Sequence, residues 1–234
     1  MKRIAILQSN YIPWKGYFDI IASVDEFIVY DCVQYTKSDW RNRNQVKTSR
    51  GKTWLTVPVR QRSLEQTIDQ TEIADQSCFR KHWQTFCQNY ARAAHIGYCR
   101  DALGPLYEEI GSERLLSHAN VRIIRAVCDL LGIRTTIRDA GEYELAGDRN
   151  QRLAGLCRQA GASVYLSGAA AQSYLDEQQF AQVGVTVEWM CYDGYAEYPQ
   201  PYPPFDHYVS VLDLLASVGP AAPQFLLRAG RCLP

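Results

Sequence analysis

The chain is 234 residues long, 47% hydrophobic and 21% charged, with 25 Lys/Arg matched by 25 Asp/Glu. Such a chain buries one good core, which excludes intrinsic disorder, and its zero net charge speaks against a nucleic-acid-coating protein. The charge is unevenly spread. Residues 1–60 hold ten Lys/Arg against five Asp/Glu and residues 161–234 hold two against seven, so the N-terminal part suits an anionic ligand or the acidic end of its own chain.

"KRIAIL" and "EFIVYDCV" are short apolar runs that predict two buried strands. Between them, "NYIPWKGYFDIIASVD" gives a loop with Pro13 and Gly16 and then a short helix. Strand, loop, helix, strand is the opening of a parallel sheet whose ligand loops sit at the carboxyl ends of the strands. "KTWLTVPVR" alternates like a strand, with Pro58 marking an edge or an end. From about Ser77 to Leu131 the apolar period is helical, and Gly132 stops the last of these helices.

"RTTIRD" reads as the next strand, and Asp148 with Gln151 forms a capping box that opens "RLAGLCRQAG". "ASVYLSG" is the strand after it; Ser173 and Asp176 repeat the capping pattern before "YLDEQQFAQVG", and "VTVEWM" completes the unit. A proline- and tyrosine-rich loop, "DGYAEYPQPYPPFDHY", precedes an amphipathic helix, "VSVLDLLASVG". The predicted fold is a single α/β domain over residues 1–234, Rossmann-like, with a mostly parallel sheet flanked by helices and a helical insertion over roughly 76–132.

No apolar run reaches the length of a signal-peptide core or a membrane span, so a soluble cytoplasmic protein is expected. Cys32, Cys78, Cys87, Cys99, Cys128, Cys157, Cys191 and Cys232 show no paired spacing, which predicts reduced thiols and no structural metal. Nothing in the sequence calls for a cofactor.

Candidate ligand residues cluster where such a sheet presents them. Gln8, Asn10, Tyr11 and Trp14 follow the first strand; Asp31, Cys32, Gln34 and Tyr35 lie at or past the end of the second; Ser167 ends a later one. In "DWRNRNQVKT", Arg41 and Arg43 alternate with Asn42 and Asn44 as planar donors suited to a phosphate or carboxylate. Cys32 is a candidate nucleophile, activated by Arg41, Arg43 and Lys47, with His207 as base and Asp31 or Asp213 to orient the imidazole. The competing reading of Cys32 is an inert, buried strand thiol. Cys191, beside Tyr192 and Asp193, is the second choice of nucleophile. Tyr35, Trp40 and Trp54 interleave with basic residues, but no nucleic-acid module accompanies them.

The segments "ILQSNYIPWKGYFDII", "FIVYDCVQYTKSDWRNRN", "WLTVPV", "YLSGAAAQSYLD" and "EYPQPYPPFDHYVSVLDLL" resemble, in order and over nearly the whole chain, the WbqC-like proteins, named from bacterial surface-polysaccharide gene clusters. The resemblance implies an association with clusters that acylate amino sugars with glycine-like groups and with clusters that handle carrier-protein thioesters. It therefore implies acyl transfer, with an acyl carrier protein or pantetheine-linked substrate as partner. This chain departs from the family pattern in having Cys32 where a second Asp is expected.

The leading expectation is an acyltransferase or hydrolase acting on an acyl thioester, with Asp31, Cys32 and His207 as its chemical groups and Gln8, Asn10, Tyr11, Trp14, Gln34, Tyr35, Arg41, Asn42, Arg43 and Ser167 holding substrate. Two rivals stand beside it. One is a nucleotide-dependent transferase of the nucleotidyltransferase-like α/β class, in which Ser9 and Lys15 replace the histidines or P-loop that this sequence lacks. The other is a ligand-binding module without catalysis.

Overall fold

A computed structural model describes residues 1–227; Cys232 lies outside them. In chain order the elements are β1 (Arg3–Leu7), α1 (Lys15–Ala22), β2 (Glu26–Val29), β3 (Arg43–Thr48), β4 (Gly51–Thr56), β5 (Val59–Arg60), β6 (Glu72–Ile73), α2 (Ser77–Asn89), α3 (Ile96–Glu109) and α4 (Leu116–Leu130). They continue with β7 (Thr136–Asp139), α5 (Arg149–Gln159), β8 (Val164–Gly168), α6 (Glu177–Gln182), β9 (Thr186–Met190) and α7 (Val211–Val218).

Five strands form one parallel sheet in the order β7-β2-β1-β8-β9. The chain runs outward from β1 through β2 to β7, then returns to β8 on the other side of β1. The β1/β8 boundary is therefore the switch point of a doubly wound sheet, where the loops leaving the two strands part and open a crevice.

Both faces of the sheet are covered, which is why β1 and β2 are apolar at nearly every position. Ile4, Ile6, Ile28 and Tyr165 pack with Leu153, Leu156, Cys157 and Phe180 from α5 and α6. On the opposite face Ala5, Phe27 and Val29 join a larger cluster with residues of α1, α2, α3, α4 and α7. The helical middle section predicted from Ser77 onward is present as α2, α3 and α4, and among the described residues no helix is long and apolar enough to cross a membrane.

One local expectation is corrected. The final helix is buried all round rather than amphipathic: every residue of α7 is buried, Asp213 and Ser217 included. "RNQVKT", given no element from its sequence, forms β3, which pairs antiparallel with β4 in a hairpin separate from the main sheet. The alternation of β4 was readable; its partner, rich in polar residues, carried no apolar period by which to recognise it.

Candidate functional site

The crevice at the switch point is a cleft of about 600 Å³. The end of β1 supplies Leu7 and Gln8, the end of β8 supplies Ser167 and Gly168, and the start of α5 supplies Gly147, Asp148, Arg149 and Arg152. Gln34, Arg41 and the rings of Tyr30, Tyr165 and Tyr174 complete its walls.

The helix start is built locally. Asp148 accepts a hydrogen bond from the Gln151 backbone N–H at 3.0 Å while Gln151 accepts from the Asp148 N–H at 2.9 Å, so the box read from sequence is formed. Gly147 has φ of 85°, and a Cβ there would meet Gln151 Oε1 at 2.1 Å, so only glycine lets the chain turn into α5 at this point. Arg152 donates through Nε to the Gly147 carbonyl at 2.9 Å, and the Arg149 guanidinium lies 4.8 Å from the centre of the Tyr174 ring. Both arginines are exposed, and among the described residues neither is ion-paired. On this wall the two cations outnumber the one carboxylate, that of Asp148, which caps the helix N-terminus.

Arg41 adds a third cation. Its guanidinium donates to the Asn10 side-chain carbonyl, and it has Asp39 at 3.7 Å. Its backbone carbonyl accepts from Asn120 Nδ2 at 2.8 Å, which fixes the segment to α4.

Asp31 does different work from that expected. Its carboxylate accepts from the Ser9 backbone N–H at 2.7 Å, from Ser9 Oγ at 2.6 Å and from Ser117 Oγ. It is fully buried, and burial raises its pKa against the pull of those bonds. Both oxygens are thus spent on tying the end of β2 to the loop after β1 and to α4. Asp213 is likewise saturated by Tyr90 at 2.6 Å, Tyr198 at 2.7 Å and Gln200 at 2.7 Å, so neither carboxylate orients an imidazole.

The expected nucleophile, base and orienter do not assemble. Burial, then Asp69, Asp139 and Asp31, push the Cys32 thiol up to about 11, opposite to what an activated thiolate needs. His207 sits in the tyrosine-rich loop against the rings of Phe205 and Tyr195, at 4.6 and 5.8 Å, and burial and then Lys15 lower its pKa. No hydrogen bond joins it to Cys32 or Asp31 among the described residues. Cys191 is disulfide-bonded and so is not a free thiol, an exception to the reduced state expected throughout.

The expected binding residues separate into several places. Gln8, Gln34, Arg41 and Ser167 line the switch-point cleft. Tyr35, Asn42 and Arg43 line a second hollow of about 280 Å³ beside β4. Asn10 and Trp14 line a third of about 260 Å³ with Pro13, Trp40, Asn44 and Tyr208. Tyr11 is in none of them: it is fully buried, its hydroxyl 2.9 Å from His82 Nδ1.

The two asparagines of "RNRN" spend their donors on backbone. Asn42 Nδ2 donates to the Val57 carbonyl at 2.8 Å, and Asn44 Nδ2 to those of Ile12 at 3.0 Å and Tyr11 at 3.3 Å. Arg149, Arg152 and Tyr174 were missed from sequence. The capping box marked the start of α5, and the rule that anions gather at helix N-termini would have brought Arg149 and Arg152 in.

Fold and cleft together define a doubly wound α/β protein whose switch-point cleft is lined by Arg41, Arg149 and Arg152. The model of the WbqC-like protein family matches residues 8–225, and the chain belongs to that family. A relative from Mycobacterium tuberculosis (strain ATCC 25618 / H37Rv), described as "Uncharacterized protein Rv1507c", is 48% identical over 227 residues, which cover 97% of this chain and 98% of the relative. No solved structure matches the chain.

Proposed function

We propose that this protein is a group-transfer enzyme that holds a nucleotide-bearing substrate by its phosphates in the switch-point cleft. The observation that carries this reading is the pair of arginines, Arg149 and Arg152, on the first turn of α5, without an ion-pair partner among the described residues and facing the same cleft as Arg41, Gln8 and Ser167. Three guanidinium groups and a helix N-terminus suit a diphosphate, and Tyr174 beneath Arg149 offers a ring face to a base. The cleft volume of about 600 Å³ lies within the range of small-ligand sites.

A nucleoside diphosphate is common to nucleoside triphosphates and to acyl-coenzyme A thioesters, so the anion site serves either donor. For an acyl donor, the raised pKa of Cys32 favours direct attack by an acceptor hydroxyl or amine on the thioester carbonyl over a covalent acyl-cysteine; the C–S bond breaks, and the departing thiolate takes up the proton the acceptor loses. A carrier protein would present only the single phosphodiester of its pantetheine arm, with no nucleoside.

The test is calorimetric titration with ADP, coenzyme A and 4′-phosphopantetheine, beside the double variant Arg149→Ala/Arg152→Ala. Saturable binding of ADP and coenzyme A, weakened at least about tenfold in the variant, is the expected result. Binding of phosphopantetheine alone would move the reading to a carrier-borne substrate. No binding of any of the three, or binding indifferent to both arginines, would refute it.

A further inference from the structure

The third hollow, about 260 Å³, is walled by Trp14, Trp40, Tyr208 and Pro13, with the amides of Asn10 and Asn44 at its polar side. Among the described residues, none that lines it is charged. Trp40 is 46% exposed and Tyr208 68% exposed, unusual for rings that have a buried core available a few residues away.

Trp14 is a prepared wall. A Cβ on Gly16 would lie 2.2 Å from the Trp14 indole, so glycine at that position lets the ring fold back over the start of α1. Tyr192, Tyr195 and Tyr208 then hold it from the side, at centroid distances of 5.2, 6.0 and 5.3 Å. The loop before it is clamped as well. Ile12 has φ of 38°, a conformation costly for a β-branched residue, and Asn44 secures it by bonding the Tyr11 and Ile12 carbonyls. Tyr11 N–H donates to the Trp40 carbonyl at 3.0 Å, so the same loop positions the second indole.

This hollow adjoins the switch-point cleft through one pair of side chains. Arg41 lines the cleft, Asn10 lines the hollow, and the first donates to the second. The bond occupies Asn10 Oδ1, while among the described residues Asn10 Nδ2 has no protein partner and remains a donor for a ligand.

We infer that the Trp14/Trp40/Tyr208 hollow is the acceptor subsite of the group transfer proposed above and takes an uncharged ring that lays an apolar face on the indoles. The inference rests on that reading for the word acceptor; the binding of a neutral ring rests on this hollow alone. A ring suits the site because its walls are aromatic faces with no counter-charge, and a single amide donor at the edge meets one polar substituent. A polyol ring with a C–H face and an aromatic alcohol share that chemistry.

Tryptophan fluorescence and saturation-transfer NMR with methyl β-glucopyranoside and with benzyl alcohol, in the absence of nucleotide, test it. The expected result is saturable binding of one of the two with millimolar affinity, reduced at least about fivefold by Trp40→Ala and by Tyr208→Ala, both exposed positions that leave the core intact. The glucoside alone assigns a polyol ring; benzyl alcohol alone assigns an aromatic one. Arg149→Ala/Arg152→Ala should leave ring binding unchanged, so failure of the nucleotide reading does not register here. Absence of binding by both probes, or binding unaffected by Trp40→Ala and Tyr208→Ala, overturns the inference.

Discussion

The Arg41 guanidinium donates to the Asn10 side-chain carbonyl, and this bond joins a residue lining the switch-point cleft to one lining the aromatic hollow. Groups on the two sides of such a bond are coupled, because moving either partner reshapes both spaces. Arg41→Ala should therefore weaken ADP and ring-probe binding together, by about tenfold for the anion, whereas Asn10→Ala should act mainly on the ring. Residues in contact show interaction energies of about 0.5–3 kcal/mol in double-mutant cycles. A cycle on Arg41 and Asn10, read by titration with each ligand, checks this; strict additivity would mean that the two spaces are independent.

Cys32 should behave as an unactivated thiol. With its thiol raised to about 11, it is protonated at neutral pH, and its alkylation by iodoacetamide should accelerate only as pH approaches that value. Mass mapping of alkylation between pH 7 and 10 measures it. Rapid labelling of Cys32 at pH 7 would revive a covalent mechanism. Cys32→Ala should leave ADP affinity unchanged.

Asp31 is expected to be a stability residue. Its carboxylate gathers Ser9 and Ser117 in a site with no exposure to water worth counting. Asp31→Asn keeps the shape but turns one acceptor oxygen into a donor that faces other donors, at a cost of about 1–3 kcal/mol. Urea denaturation at pH 7 reads the loss directly.

Lys15 carries a distinct pH signature. Its Nζ has no hydrogen-bond partner among the described residues and lies 4.3 Å from the Tyr195 ring centre and 5.2 Å from that of Tyr198. Burial lowers its pKa to about 8, against the opposing attraction of Asp19 and Asp213. The sign follows from proton counting. Between about 8 and the ordinary value of 10.5 the unfolded chain holds the proton and the folded chain does not, so this group makes stability rise with pH across that window. Below about 8 both forms are protonated and the burial cost is present in full. Lys15→Met should thus be more stable than wild type at pH 7, and the difference should shrink as pH climbs to 10. Comparing the two proteins cancels the opposing titration of cysteines and tyrosines, whose raised pKa values lower stability over the same range.

Gly16→Ala tests the prepared wall. The added Cβ would sit 2.2 Å from the Trp14 ring, so the indole must move, at about 1–3 kcal/mol for overpacking. A shift in tryptophan emission with loss of ring-probe binding is the expected outcome, and unchanged emission would show that Trp14 has another place to go.

How much of this was legible in the sequence varies with the range of the interactions. The strands "KRIAIL", "EFIV" and "VYLSG", the helices α2 to α4 and the box at Asp148 are set by apolar period and by contacts three or four residues apart, so they could be read directly. The rule that a parallel sheet presents ligands at its carboxyl ends put Gln8, Asn10, Asp31, Cys32, Gln34 and Ser167 on one crevice; Gln8, Gln34 and Ser167 do line one cleft, while Asn10 lines another hollow and Asp31 is buried. The fate of "RNRN" was not readable. An asparagine looks the same in a sequence whether its amide meets a ligand or the carbonyl of Val57 fifteen residues away.

The sequence by itself determined the family, the parallel α/β framework and which residues follow the carboxyl ends of its strands, because each follows from local patterns and a small set of chain-crossing rules. The tertiary structure decided which polar groups remain available. Asp31, Asp213 and the side-chain N–H groups of Asn42 and Asn44 spend their hydrogen bonds within the fold, while Arg149 and Arg152 reach the cleft without ion-pair partners among the described residues. That choice depends on which side chains from distant segments meet in three dimensions. A buried polar group must find its partner there, and the groups left without one are those able to bind something else.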